Sequence, residues 1–195
     1  MEKYLDSAPS SWKKRLVLAA VPKDGSPYED SFTVSLGKPV SYWDQIYTVL
    51  KDPEVSVEAF RSEGSIIASV SLAARVSVPC ARCLEPAETD ISETLRYIFS
   101  LRREQHPPKG EEEALQDGEE EIIDLDSWED EIDLGQMIWE TFITALPGAL
   151  LCSEDCKGLC PICGANLNKG PCGCKTESKD PRFEVLKNFR PSDEK

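Results

Sequence analysis

The sequence predicts an α+β protein: an antiparallel β meander or small barrel, packed helices, and a C-terminal cysteine-rich zinc knuckle. Three observations carry this expectation. Residues 66–78 alternate strictly between apolar and mostly polar side chains. Residues 133–145 place apolar side chains at helical spacing. Residues 156–174, "CKGLCPICGANLNKGPCGC", hold five of the chain's eight cysteines among glycines and prolines. The expected organisation is a β-rich part over 1–103, an acidic linker or long loop over 104–131, and a third part over 132–195. That last part comprises a helix, a cysteine-rich tail and a C-terminal helix.

In the first part, Ile66, Ala68, Val70, Leu72, Ala74, Val76 and Val78 share one side of a period-two run, as a half-buried strand requires. Val55, Val57 and Ala59 alternate before it, and "SEGS" with Gly64 supplies a turn, so 54–78 reads as a hairpin. Phe32, Val34 and Leu36 suggest an earlier strand; Ile91, Leu95, Tyr97, Phe99 and Leu101 suggest a later one. Consecutive strands of this kind make a meander or a small barrel. "PSSWKKRLVLAAVP" and "VSYWDQIYTVLKDP" are ambiguous between helix and strand.

The net charge of −14 is unevenly spread. Residues 104–133 contain fourteen acids and one base, Lys109, which leaves the rest of the chain close to neutral. Prolines, glycines and clustered acids over 104–121 predict a solvated spacer that buries too little to offset its ordering entropy. The sharper alternative is contact with a basic partner. Charge alone gives no support for an extended nucleic-acid groove, although it leaves room for a local basic patch.

In the third part, Asp133 is expected as N-cap, with Gln136 as its capping-box partner and Ile132 and Met137 as a hydrophobic staple. Leu134, Met137, Ile138, Thr141, Phe142 and Ala145 would form the core-facing stripe, ended by Pro147 and Gly148. "DPRFEVLKNF" offers Asp180 as the cap of a final helix, with Pro181 in its first turn.

No run of eighteen apolar residues exists, so no transmembrane helix is expected. The charged start "MEKYLDSAPSSWKKRL" lacks an apolar signal core, and a cytoplasmic location is the expectation. In that reducing compartment eight cysteines point to metal more than to disulfides.

"CPICG" is the stronger motif. A C-x-x-C turn brings two sulfurs to one ion, and the following Gly164 permits positive φ. Cys160 and Cys163 with Cys172 and Cys174 would form a closed four-thiolate zinc site. Cys80, Cys83, Cys152 and Cys156 would form a second. That signal is weaker, because Leu84 stands where a glycine is expected and C-x₃-C at 152–156 is loose. A rival scheme places Cys80 and Cys83 with Cys160 and Cys163 on one ion, and spacing does not separate the two. One or two Zn²⁺ ions per chain are expected. A redox dithiol, an iron–sulfur cluster and a rubredoxin-like iron site are the alternatives. The only histidine, His106, lies in the acidic stretch beside Pro107. No phosphate-binding glycine loop is visible, so the residues indicate no enzyme and no small-molecule substrate.

"VPCARCLEP" (78–86), "ITALP" (143–147), "LCSEDCKGLCPICGANLN" (151–168), "CGC" (172–174) and "DPRFEVLKNF" (180–189) together resemble the YceD family of large ribosomal RNA subunit accumulation proteins. The resemblance spans roughly residues 30–190 and is most specific in the tail. It implies a role in 23S rRNA accumulation or processing and large-subunit assembly. The partner would be an rRNA precursor or a ribosomal protein, and no catalytic activity is implied. The family's C-x-R-C maps onto Cys80, Arg82 and Cys83. Arg82, Lys157 and Lys169 are the candidate contacts to RNA or a protein partner, Arg82 being equally readable as a salt-bridging surface arginine. The competing expectation is a zinc-stabilised adaptor that holds a basic ribosomal protein without touching RNA.

Overall fold

The structure, a computed structural model, describes residues 3–62, 64–101, 121–128 and 131–174. In chain order its strands are β1 (Arg15–Val17), β2 (Tyr28–Thr33), β3 (Val40–Tyr42), β4 (Gln45–Ser62), β5 (Ser65–Pro79), β6 (Pro86–Leu101), β7 (Glu121–Leu125) and β8 (Glu131–Asp133). They are followed by the helix α1 (Gly135–Ala145), and short 3-10 turns occur at Ser10–Trp12, Leu18–Ala20 and Leu167–Lys169.

The alternating run becomes the central strand, β5. Its even-numbered residues from Ile66 to Val78 are all buried, while the odd-numbered ones face outward. β4 and β6 flank it antiparallel, so the expected hairpin and the strand after it form one meander of long strands. The turn between β4 and β5 contains Gly64 at φ 86°, a backbone state that favours glycine. β2 adds to β4, β3 forms a hairpin with β4, and β7 lies parallel to β6. The sheet is therefore mixed and six-stranded, in the order β2-β4-β5-β6-β7, with β3 also paired to β4. β1 and β8 form a separate two-stranded pair.

This is a mostly β architecture with one α-helix among the described residues, and the barrel expectation is corrected. β2 and β7 end the strand order without pairing to each other. The sheet does not need to close on itself, because α1 and the Ser10–Trp12 turn cover its apolar face. Its other face is solvated and carries a cross-strand row of hydroxyls, Ser31, Ser56, Ser71 and Thr94.

The two ambiguous segments resolve differently, and neither is an α-helix. "PSSWKKRLVLAAVP" holds a 3-10 turn, β1 and a second 3-10 turn. "VSYWDQIYTVLKDP" holds the β3–β4 hairpin, whose two-residue loop places Trp43 at φ 47° and Asp44 at φ 57°. Paired positive φ values suit a tight hairpin, but this loop lacks the Asn-Gly or Asp-Gly that advertises one. Within the acidic stretch, residues 121–125 form β7 and residues 131–133 form β8. Ile123 and the buried Leu125 pack on the core. Residues 104–120 of the linker expected over 104–131, and the C-terminal helix expected from Asp180, lie outside the described residues.

α1 begins one residue later than expected. Leu134 is the N-cap, and Asp133 Oδ1 accepts the Gly135 N–H at 3.0 Å. Gln136 donates to Glu140 at 3.2 Å instead of closing a capping box. The buried stripe includes Met137, Ile138, Thr141 and Phe142, widened by Trp139. Trp12 packs edge-on to both Trp139 and Phe142, with ring centroids 5.9 and 6.2 Å away. Two tyrosines anchor this layer to the sheet: Tyr97 donates to Glu140 at 3.1 Å and Tyr47 to the Pro147 carbonyl at 2.8 Å. The chain leaving α1 is thus held against the sheet, and Ala81 donates to the Leu150 carbonyl at 2.8 Å. That contact delivers Cys152 to the loop between β5 and β6.

Candidate metal centre

Two six-residue loops with the same backbone pattern build the site. In the β5–β6 connection, Cys80 N–H donates to the Glu85 carbonyl at 2.8 Å, and Leu84 N–H donates to the Cys80 carbonyl at 3.0 Å. Arg82 N–H points at Cys80 Sγ, 3.4 Å away. In the tail, Cys160 N–H donates to Ala165 at 2.8 Å and Gly164 N–H to Cys160 at 2.9 Å. Ile162 N–H points at Cys160 Sγ, again at 3.4 Å. The amides and the sulfur play corresponding roles in both loops.

The residue after the second cysteine is left-handed in each: Leu84 at φ 61° and Gly164 at φ 72°. The missing glycine that weakened the first motif is therefore no obstacle to the loop, since Leu84 adopts the conformation at a cost of about 1–2 kcal/mol. Leu84 is 65% exposed, so little packing opposes its replacement. Leu84→Gly should raise unfolding stability by up to about 1 kcal/mol, the relieved strain exceeding the added chain entropy. Gly164→Ala should lower it by about 1–2 kcal/mol, although nothing lies within 4 Å of the added Cβ. Urea melts of both variants check the pair; a clear loss in Leu84→Gly contradicts the account.

The structure brings the eight thiols together as two groups of four. Cys80, Cys83, Cys152 and Cys156 have all their sulfurs within 4.8 Å of one another, as do Cys160, Cys163, Cys172 and Cys174. Cys80 and Cys83 thus meet the 152–156 pair rather than Cys160 and Cys163. All eight are free thiols. The Cys80–Cys156 and Cys83–Cys152 sulfur separations are 3.7 and 3.6 Å. A tetrahedral ion with bonds of about 2.3 Å to sulfur sets its ligands about 3.8 Å apart, whereas a disulfide needs about 2.05 Å. The two separations in the first cluster match that value and all four of its sulfurs lie within 4.8 Å of one another, which fits a thiophilic divalent ion.

Electrostatics lead to the same donor chemistry. Burial opposes ionisation of Cys80, but the N–H groups of Arg82, Cys83 and Cys152 outweigh it and draw the thiol down to about 6. The backbone amides of Cys163 and Ile162 bring Cys160 to about 6 as well. The Asn168 side chain holds Cys156 below the usual thiol range. In contrast, neighbouring sulfurs push Cys152 and Cys174 each up to about 12, Cys83 and Cys156 acting on the first and Cys163 and Cys172 on the second. Each group readily holds a thiolate yet resists further ionisation, and a bound cation removes that resistance.

The candidate contact residues surround these loops. Arg82 is exposed, but its guanidinium donates to the Cys156 carbonyl at 3.1 Å. Lys169 pairs with Glu85 at 2.7 Å, which raises the lysine's pKa and lowers the carboxyl's. Lys157 is exposed beside Cys156, and its backbone N–H donates to Asn168 Oδ1 at 2.8 Å. Sequence reasoning missed Asn166, Asn168 and Glu85. "ANLNKG" looks like a spacer, and only the fold reveals that its amides reach the other cluster. His106 lies outside the described residues.

The sequence pattern of the family described as "Large ribosomal RNA subunit accumulation protein YceD" matches residues 68–190. An uncharacterized protein of Mycobacterium tuberculosis is 33% identical over 138 residues, covering 70% of this chain and 60% of its own length. The protein named "Large ribosomal RNA subunit accumulation protein YCED homolog 1, chloroplastic" of Arabidopsis thaliana is 28% identical over 159 residues, covering 70% of this chain and 48% of its own. Its namesake in Zea mays is 28% identical over 148 residues, covering 62% and 48%. The chain thus spans three fifths or less of these relatives. No solved structure matches it. No helix among the described residues is long and apolar enough to cross a membrane.

Proposed function

The chain belongs to the YceD family of large ribosomal RNA subunit accumulation proteins, and from that membership we propose that it is a non-enzymatic factor for 23S rRNA accumulation and large-subunit assembly. The observation that supports this best is the family match over residues 68–190, a span that contains all eight cysteines. The chain itself contributes a rigid platform. Cys80, Cys83, Cys152 and Cys156 would hold one Zn²⁺, and Cys160, Cys163, Cys172 and Cys174 a second. With four thiolates each, the ions would act as cross-links, with no position left for a reacting water.

Lys157, exposed beside the first cluster, is offered to phosphate or to an acidic protein surface. Arg82 and Lys169 already hold the two loops together, so their contribution to a partner is secondary. The location proposed is the compartment of the ribosome being assembled, the cytoplasm in a bacterium. Depletion should lower 23S rRNA relative to 16S rRNA and shift subunit profiles towards incomplete large particles. An unchanged ratio with normal profiles refutes the proposal.

The acidic stretch supports a second reading, in which the chain holds a basic ribosomal protein before assembly. Its net charge of −13 over residues 104–133 suits a cationic partner. Salt-sensitive binding to naked large-subunit RNA favours the first reading. Nuclease-resistant co-purification with one basic ribosomal protein favours the second.

A further inference from the structure

We propose that the two cysteine clusters load as a coupled pair, and that Asn168 carries the coupling. This rests on the metal reading above. Asn168 belongs to the second cluster's loop, in the 3-10 turn Leu167–Lys169 between Cys163 and Cys172. Its Nδ2 nonetheless donates to Cys156 Sγ of the first cluster, 3.4 Å away. Its Oδ1 accepts the Lys157 N–H at 2.8 Å, which fixes the amide so that the NH₂ end faces sulfur. Its own N–H is held by Asn166 Oδ1 at 3.0 Å.

Further bonds lock the two loops across the strip Cys156–Leu159. Leu159 N–H donates to the Arg82 carbonyl at 3.1 Å on one side, and Leu167 N–H donates to the Gly158 carbonyl at 2.9 Å on the other. Gly158 lies so close that an added Cβ would be 3.0 Å from Arg82 O. Glu85 accepts from both Lys169 and Asn166, at 2.7 and 3.3 Å. The strip that supplies Cys156 is therefore sandwiched between the two cysteine loops.

The second cluster's sulfurs bracket the turn that presents Asn168. An ion there fixes both ends of that turn and keeps the donor aimed at Cys156. Loss of the ion frees the turn, and the first cluster loses a hydrogen bond to one of its thiolates. Groups that bond to metal ligands typically tune affinity by about 10–100-fold. Because coupling is reciprocal, an ion at the first cluster strengthens the second by the same factor.

The test uses the full chain, titrated with Zn²⁺ against a chromophoric chelator and with Co²⁺ to read thiolate coordination. The first-cluster ion is identified as the one lost in Cys80→Ser/Cys83→Ser. Removing the second cluster with Cys160→Ser/Cys163→Ser should weaken the first about tenfold or more. In the otherwise intact chain, Asn168→Ala should weaken the first cluster about tenfold and Asn168→Asp more, since a carboxylate would face a thiolate. In the Cys160→Ser/Cys163→Ser background, Asn168→Ala should add little, the non-additivity expected of a shared path. Equal effects of Asn168→Ala in both backgrounds, or a first cluster indifferent to the second, overturn the coupling while two bound ions uphold the metal reading. An intact chain that binds neither ion overturns both.

Discussion

Emptying the first cluster of its metal should lower the melting temperature by roughly 8–16 °C, a shift that follows from loop closure. The first cluster joins residues 69 and 76 positions apart, Cys83 to Cys152 and Cys80 to Cys156. Cross-linking a loop of that length stabilises a fold by about 4 kcal/mol in the chain-entropy account. For a chain of this size each kcal/mol moves the midpoint by roughly 2–4 °C. Cys80→Ser/Cys83→Ser should reproduce most of the loss. Cys172→Ser/Cys174→Ser should cost about 1–2 kcal/mol less, because it opens only the short tail loop. Calorimetry with and without chelator, paired with metal analysis, measures the difference. A shift below about 3 °C on a chain shown to have lost two ions would falsify the staple account.

Phe142→Ala should cost about 3–5 kcal/mol, the range for deleting a large aromatic from a core. Phe142 is fully buried and packs against Trp12 at 6.2 Å, so few neighbours can collapse into the space. The exposed Thr144, two residues along the same helix, gives the control: Thr144→Ala should stay within about 0.5 kcal/mol. Urea unfolding separates the two, and a Phe142→Ala loss below about 1.5 kcal/mol contradicts the packing described. The same substitution should weaken the first cluster. α1 and the Tyr47–Pro147 bond set the path by which the chain reaches Cys152.

The central meander is legible in the sequence because one face of β5 is buried and the other is wet, so polarity alternates with the pleat. The stripe of α1 is legible for the equivalent helical reason. β7 was hidden by its surroundings: net charge dominates the segment, while Ile123 and Leu125 are enough to seat five residues beside β6. The Trp43–Asp44 turn is hidden because Trp rarely adopts positive φ and no glycine follows Asp44. In the candidate site, cysteine spacing identified the tail loop, where Gly164 satisfies the backbone. It undervalued Cys80 and Cys83, because Leu84 meets the same requirement at an energetic cost. Local spacing left the grouping of the thiols open. Which pairs meet depends on the Ala81–Leu150 hydrogen bond and on the helix that brings Leu150 there. Arg82 stands out in the sequence for its place between Cys80 and Cys83, but its bond to the Cys156 carbonyl places it in the joint between the loops.

The separation within the first cluster also sets a timetable. Cys80 and Cys83 leave the ribosome ahead of their partners by 69 to 76 residues. At ordinary elongation rates Cys83 waits roughly 3–14 s for Cys152. During that interval β5 and β6 can pair and present a bidentate half-site at the end of their hairpin. That half-site can take up a labile ion and surrender it to a competing thiol. Commitment comes only when α1 has docked and Cys156 has arrived, moments before the tail cysteines emerge. Ions taken up by the two clusters would therefore arrive in one late burst, and a shortage of metal during synthesis would be registered by both together.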